Sequence, residues 1–158
     1  MKTNQEIRNE ITKAFKTKGW SNRKVGLKVD CNCIRANVKD LSIKLKDVEA
    51  IVHEYESISY DEYCGEILAG GNTFVFVDYA WDVLNTAMEK YMRKAEEIFE
   101  ANKGNILTIM EKDGKELVFV GDGWGSWVEI KGNYKRRFAG SPHDLARAMA
   151  IFNAQGGI

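Results

Sequence analysis

Residues 24–39 read KVGLKVDCNCIRANVK, and the fold turns on them. Val25, Leu27 and Val29 alternate with Lys24, Gly26 and Lys28; Ile34, Ala36 and Val38 alternate with Arg35, Asn37 and Lys39. Successive side chains of a strand point to opposite sides, so each run would bury one face and leave a polar one to water. Asp30 to Asn32 supplies the turn between them. The stretch predicts a β-hairpin, and its flanks predict an α+β chain.

On the N-terminal side, Thr3-Asn4-Gln5-Glu6 fits a capping box, in which hydroxyl and carboxylate each satisfy a free amide at a helix start. Ile7, Ile11, Ala14 and Phe15 then form one apolar stripe, and Lys18-Gly19 closes the helix. On the other side, KDVEAIVHEYE (46–56) returns to helical spacing, with Val48, Ile51, Val52 and Tyr55 on one side. Residues 57–68 read as irregular with a short helical turn. Gly70-Gly71-Asn72 is a breaker, and TFVFVDY (73–79) is a strongly β-prone strand.

Residues 80–102 form the longest predicted helix. Its stripe is Trp81, Leu84, Met88, Tyr91, Met92, Ala95, Ile98 and Phe99, and Lys103-Gly104 ends it. Two hairpins and a helix follow. In the first hairpin a Lys112-Asp113-Gly114 loop pairs Glu111 with Lys115, whereas a two-residue Asp-Gly loop sets Glu111 against Glu116 and Lys112 against Lys115. Like charges face to face are unfavourable, which favours the longer loop. Ile106, Val118 and Val120 then share one face, Leu107, Ile109, Leu117 and Phe119 the other, and both read as buried. The final helix opens at Ser141-Pro142-His143-Asp144, carries Leu145, Ala148, Met149 and Phe152 inward, and stops before Gly156-Gly157. The domain plan is thus 1–79, a linking helix at 80–104, and 105–158, expected to form one compact unit overall.

Residues 123–138, GWGSWVEIKGNYKRRF, hold the candidate site. A two-residue Gly132-Asn133 loop would set Lys135 and Arg137 on one face with Val128 and Ile130, mixing core and charge, whereas a Lys131-Gly132-Asn133 loop puts Val128, Ile130, Tyr134 and Phe138 inside, with only Arg136 out of place among them. Outside, Glu129 faces Lys135 and Trp127 faces Arg137, a geometry for a cation–π contact. Trp124 lies in a glycine-rich turn. Two readings stand for the indoles: packed beneath a neighbouring loop or the long helix, or exposed as a binding surface. The second makes Trp124, Trp127, Lys135, Arg136 and Arg137 the partner-binding residues, since Trp and Arg are favoured at interface hot spots.

Composition narrows the function classes. The chain has 158 residues, 44% apolar, with 23 basic and 23 acidic side chains, so no overall basic field draws it to nucleic acid. No apolar leader or membrane span is expected, and three cysteines, Cys31, Cys33 and Cys64, point to a reduced, cytoplasmic protein with free thiols. No phosphate-binding loop, dinucleotide fingerprint, metalloprotease motif or nucleophile elbow occurs. Cys64 with His53 or His143 would make a thiol enzyme, and the cysteines with a histidine would make a metal site. The simpler reading gives these residues no catalytic or metal role, so no enzyme activity, metal or cofactor is expected. Tyr60-Asp61-Glu62-Tyr63 lacks calcium-loop spacing and reads as a solvated acidic and aromatic segment.

EIRNEITKAF (6–15), NCIRANV (32–38), KDVEAIVHEYE (46–56) and GGNTFVFVDY (70–79) stand in an order that resembles a "large polyvalent protein-associated" domain of phage and conjugative-element proteins. The resemblance covers about residues 5–79 and departs at KVGLKVDCNC, where a serine- and glycine-rich strand is expected. It implies a non-enzymatic accessory protein of a mobile element that binds a host or viral protein, with inhibition of a defence system of the anti-CRISPR or anti-restriction kind as one role. The alternatives are nucleic-acid binding through the basic, aromatic last hairpin and a small thiol enzyme. A homodimer through the long helix is also compatible with its wide stripe.

Overall fold

The computed structural model describes residues 2–68, 70–101, 106–122, 125–133 and 135–158, without the side chain of Asp122. The chain is α+β and divides into two compact units, Met1–Ala80 and Trp81–Ile158. The long helix belongs to the second.

In the first unit, α1 (Asn4–Thr17) starts with the expected capping box. The Glu6 amide donates to Thr3 Oγ1 at 3.2 Å, and the Thr3 amide donates to the Glu6 carboxylate at 2.7 Å. Gly19 ends the helix at φ 78°, and the Trp20 amide returns to the Phe15 carbonyl at 2.9 Å. β1 (Val25–Asp30) and β2 (Cys33–Val38) form the predicted hairpin. Asp30 pairs with Cys33, so the turn is Cys31-Asn32 rather than three residues.

The predicted helix at 46–56 divides into α2 (Leu45–Val52) and a tight 3₁₀ turn at His53–Tyr55. β3 (Phe74–Tyr79) joins β2 in parallel, so α2 lies in the crossover and the sheet order is β1-β2-β3. Both helices pack against the sheet through the alternating apolar positions. Ile11, Ile34, Val38, Val48 and Val52 are fully buried there, each contributing about 1.5–3 kcal/mol. The polar positions of the hairpin stay outside, as predicted. Residues 57–68 and 70–73 are irregular, tied by isolated bridges at Ser57–Thr73 and Tyr60–Ile67.

The second unit begins with α3 (Trp81–Ala101). Leu84, Met88, Ala95 and Ile98 of its stripe are buried, but Trp81 is 67% exposed and stacks on His143, centroids 6.4 Å apart. β4 (Ile106–Lys112), β5 (Lys115–Asp122), β6 (Gly125–Ile130) and β7 (Arg136–Phe138) form one antiparallel meander, so the two predicted hairpins are a single sheet. α4 (Pro142–Gln155) has the expected serine cap and proline start, ends at Gly156 with φ 67°, and packs on α3. Phe99 of α3 meets Phe119 of β5 at 5.8 Å.

The first hairpin corrects the predicted loop. Glu111 pairs with Glu116 and Lys112 with Lys115 around a two-residue Asp113-Gly114 turn, both residues at positive φ (51° and 77°). This twist suits a tight hairpin, and the like charges find other partners. Glu116 pairs with Lys131 at 3.1 Å, and Lys112 donates to the Asn153 carbonyl of α4. A register shift between Thr108 and Met110 then restores the predicted alignment, with Ile106 opposite Val120 and Thr108 opposite Val118. The extra residue expected in the turn sits in mid-strand instead. β5 is buried on both faces at Leu117, Val118 and Phe119. β4 is an edge, and Ile106 (73%) and Leu107 (38%) are exposed, contrary to the prediction of burial.

Candidate protein-interaction face

The second hairpin slips by one residue from its predicted register. Trp127 lies opposite Phe138, Val128 opposite Arg137 and Glu129 opposite Arg136. A one-residue slip exchanges the faces of a strand, and here it moves Arg136 to the face of Trp127 and brings Arg137 to the face of Val128. Arg136 leaves the inner side, donates from Nε to Glu129 Oε2 at 2.9 Å and sets its guanidinium 5.8 Å from the Trp127 ring centre. The cation–π partner of Trp127 is therefore Arg136, not Arg137. Arg137 takes the inner-face position opposite the buried Val128 and is exposed at the sheet edge.

Phe138, predicted for the core, is 63% exposed. Its ring lies over the Gly140 backbone, where an added Cβ would stand 2.5 Å from the ring, and beside Gly125 and Trp127. Register then assembles a row that periodicity alone did not reveal. Ile106, Val120, Trp127 and Phe138 stand side by side, one on each strand, on a single face. Val120 and Trp127 are half-buried, and Ile106 and Phe138 are exposed. The next row carries Thr108, Val118, Glu129 and Arg136. Phe119 and Val128 occupy the opposite face, which meets α3 through the Phe99–Phe119 contact.

Of the predicted site residues, Trp127 and Arg136 come together. Lys135 is exposed beside them in sequence, its amide held by Asn133 at 3.1 Å. Trp124 and the predicted core residue Tyr134 lie outside the described residues. Sequence reasoning missed Ile106, Val120 and Phe138 as members of the face. Sorting charge from apolar side chains pointed to the other register, because the observed one sets Arg137 opposite the buried Val128 and relies on the exposed sheet edge to keep it in water.

The other candidate chemistry is dispersed. His53 pairs with Glu56 at 3.5 Å, and His143 stacks on Trp81. Cys31 and Cys64 are exposed, Cys33 is half-buried, and none forms a disulfide. Asp61 Oδ1 accepts the Cys64 and Tyr63 amides at 2.9 and 2.8 Å, which holds its carboxyl below the usual range and fixes a turn that leaves Tyr63 99% exposed. Among the described residues, no group of three or more His, Cys, Asp or Glu could hold a metal, and no helix is long and apolar enough to cross a membrane. No family model, curated protein or solved structure matches the chain.

Proposed function

We propose that this chain is a non-enzymatic binding protein that takes a protein partner on the face of its second sheet that carries Trp127 and Phe138. The observation that carries the reading is the row Ile106–Val120–Trp127–Phe138, running across all four strands. At a strand spacing of about 4.8 Å such a row spans roughly 14 Å. A contiguous apolar row, half-buried at Val120 and Trp127 and exposed at Ile106 and Phe138, is suited to an interface centre. Beside it, the Glu129–Arg136 pair supplies a polar rim, and Trp127 and Arg136 are residue types that dominate interface energies.

The resemblance of residues 5–79 to a mobile-element accessory domain makes a host or viral complex the partner class to try first, defence complexes included. Nucleic acid is the weaker reading for this hairpin. Arg136 is engaged by Glu129 and Trp127, and Lys131 by Glu116.

Affinity capture from host lysate tests the reading with three baits: the unaltered chain, Phe138→Asp, and Arg93→Ala on the exposed side of α3. A specific partner held by the first and third but lost by the second is expected. A partner retained by Phe138→Asp together with Ile106→Asp would place the interface elsewhere.

A further inference from the structure

The first unit has an open sheet face of different chemistry. Lys28, Arg35 and Phe76 lie side by side across β1, β2 and β3, next to a row of Gly26, Asn37 and Asp78. Together with Lys39 they line a groove of about 410 Å³. This volume lies within the range of small-ligand sites, roughly 300–1,000 Å³. Lys39 lies across Gly26, where an added Cβ would stand 3.4 Å from its Cε.

The charges there are unbalanced. Lys28 and Arg35 are direct cross-strand neighbours, an arrangement that costs energy unless an anion relieves it. Lys28 has Asp30 at 3.6 Å, in an exposed pair. Arg35 sits 5.2 Å from the centre of the Phe76 ring and has no carboxylate partner among the described residues. In the groove lining, the cations Lys28, Arg35 and Lys39 face one carboxylate, Asp78. Phe76, 48% exposed, offers an aromatic face among them.

We propose that this face binds single-stranded nucleic acid, with an unpaired base stacked against Phe76 beside Arg35 and backbone phosphates on Lys28, Arg35 and Lys39. A positively charged groove with an aromatic platform is the arrangement that holds single strands without reading their sequence. A polymer suits the site better than a free nucleotide. The groove floor is an open sheet, and its cations are spread from β1 to the residue after β2. A duplex hides the base faces that Phe76 would meet. The site uses none of the residues of the face proposed above for a protein partner.

Fluorescence anisotropy with a labelled oligothymidylate of about 12 nucleotides, at low salt, tests the proposal on the full chain. Three phosphate contacts predict a log–log salt slope of about −2. Phe76→Ala should weaken binding by about tenfold, as should Phe76→Leu, which keeps apolar bulk without a ring. Arg35→Ala should also reduce the steepness of the slope by about 0.7. Arg93→Ala, which removes an equal charge from α3, should change neither quantity. Absence of binding at low salt overturns the proposal. So do equal affinity for a duplex or mononucleotide, equal competition by polyglutamate, an Arg93→Ala loss matching that of Arg35→Ala, or a Phe76→Leu variant that binds like the unaltered chain.

Discussion

Arg136 sits between Glu129 and Trp127: its Nε reaches the carboxylate at 2.9 Å while its guanidinium lies 5.8 Å from the indole centre. Two weak surface contacts thus fix one side chain at the edge of the apolar row. A partly exposed ion pair contributes about 0.2–1 kcal/mol, so Arg136→Ala should lower stability by less than about 1 kcal/mol in denaturant titration. Its effect on the partner complex should be larger, with a dissociation rate raised at least about tenfold. Arg136→Lys should recover little, because an ammonium cannot offer a planar stack and a directed N–H together. Full recovery by lysine would show that charge alone matters there.

Gly140 and Gly132 make a paired prediction. An alanine Cβ at 140 would stand 2.5 Å from the Phe138 ring, but the obstacle is the far end of an exposed side chain. Gly140→Ala should therefore cost under about 1 kcal/mol while turning the ring away from Trp127. Gly132 has open space around its missing Cβ but sits at φ 82°. Its alanine variant should lose about 1–2 kcal/mol through backbone strain alone. Thermal melts would rank the two, and indole fluorescence should shift in Gly140→Ala. The opposite ranking would contradict both readings.

The sequence made the elements legible where local chemistry decides them. The Thr3–Glu6 capping box, the Ser141-Pro142 helix start and the alternation of Val25 to Val38 are each satisfied within a few residues of chain. What it did not show were registers. The Glu111–Glu116 conflict is relieved by Lys131, and the Lys112–Lys115 conflict by the link from Lys112 to Asn153, partners distant in sequence. The parallel pairing of β2 with β3 also depends on a crossover that no turn residue announces. Half of the candidate site was visible as Trp127 and Arg136. The remainder, Ile106, Val120 and Phe138, becomes a row only once two registers are known.

The tolerated like-charge pair can be improved. Glu111 is exposed opposite Glu116, and Glu116 already holds Lys131 at 3.1 Å. Glu111→Lys converts repulsion into attraction across the strands, a change of about 0.2–1 kcal/mol. Stability should rise by this amount at low salt and the gain should shrink as salt increases. A destabilised variant would point to the three-residue register, in which Glu111 faces Lys115.

Tyr55 and Glu10 tie the 3₁₀ turn to α1 and give the fold a pH signature. The Tyr55 hydroxyl donates to Glu10 Oε2 at 2.9 Å, and Lys2 reaches the same oxygen at 2.8 Å. Burial, followed by the bond to Glu10, pushes the Tyr55 hydroxyl from 10.0 up to about 12. The folded value lies above the unfolded one, so the fold favours neutral Tyr55. Its contribution is complete below pH 10 and is lost as pH rises from 10 towards 12. The Lys2 hydrogen bond, then that of Tyr55, holds Glu10 below the usual carboxylate range. That contribution has the opposite sense: present above the ordinary carboxylate pKa, lost as acid protonates the folded carboxylate. Alkaline absorbance titration should show a tyrosinate phase near pH 12 that is missing in Tyr55→Phe. Between pH 8 and pH 10 the unaltered chain should melt above the variant, and the gap should close as pH climbs towards 12. A late phase that survives in Tyr55→Phe would assign the raised hydroxyl to another tyrosine and leave α1 without this anchor.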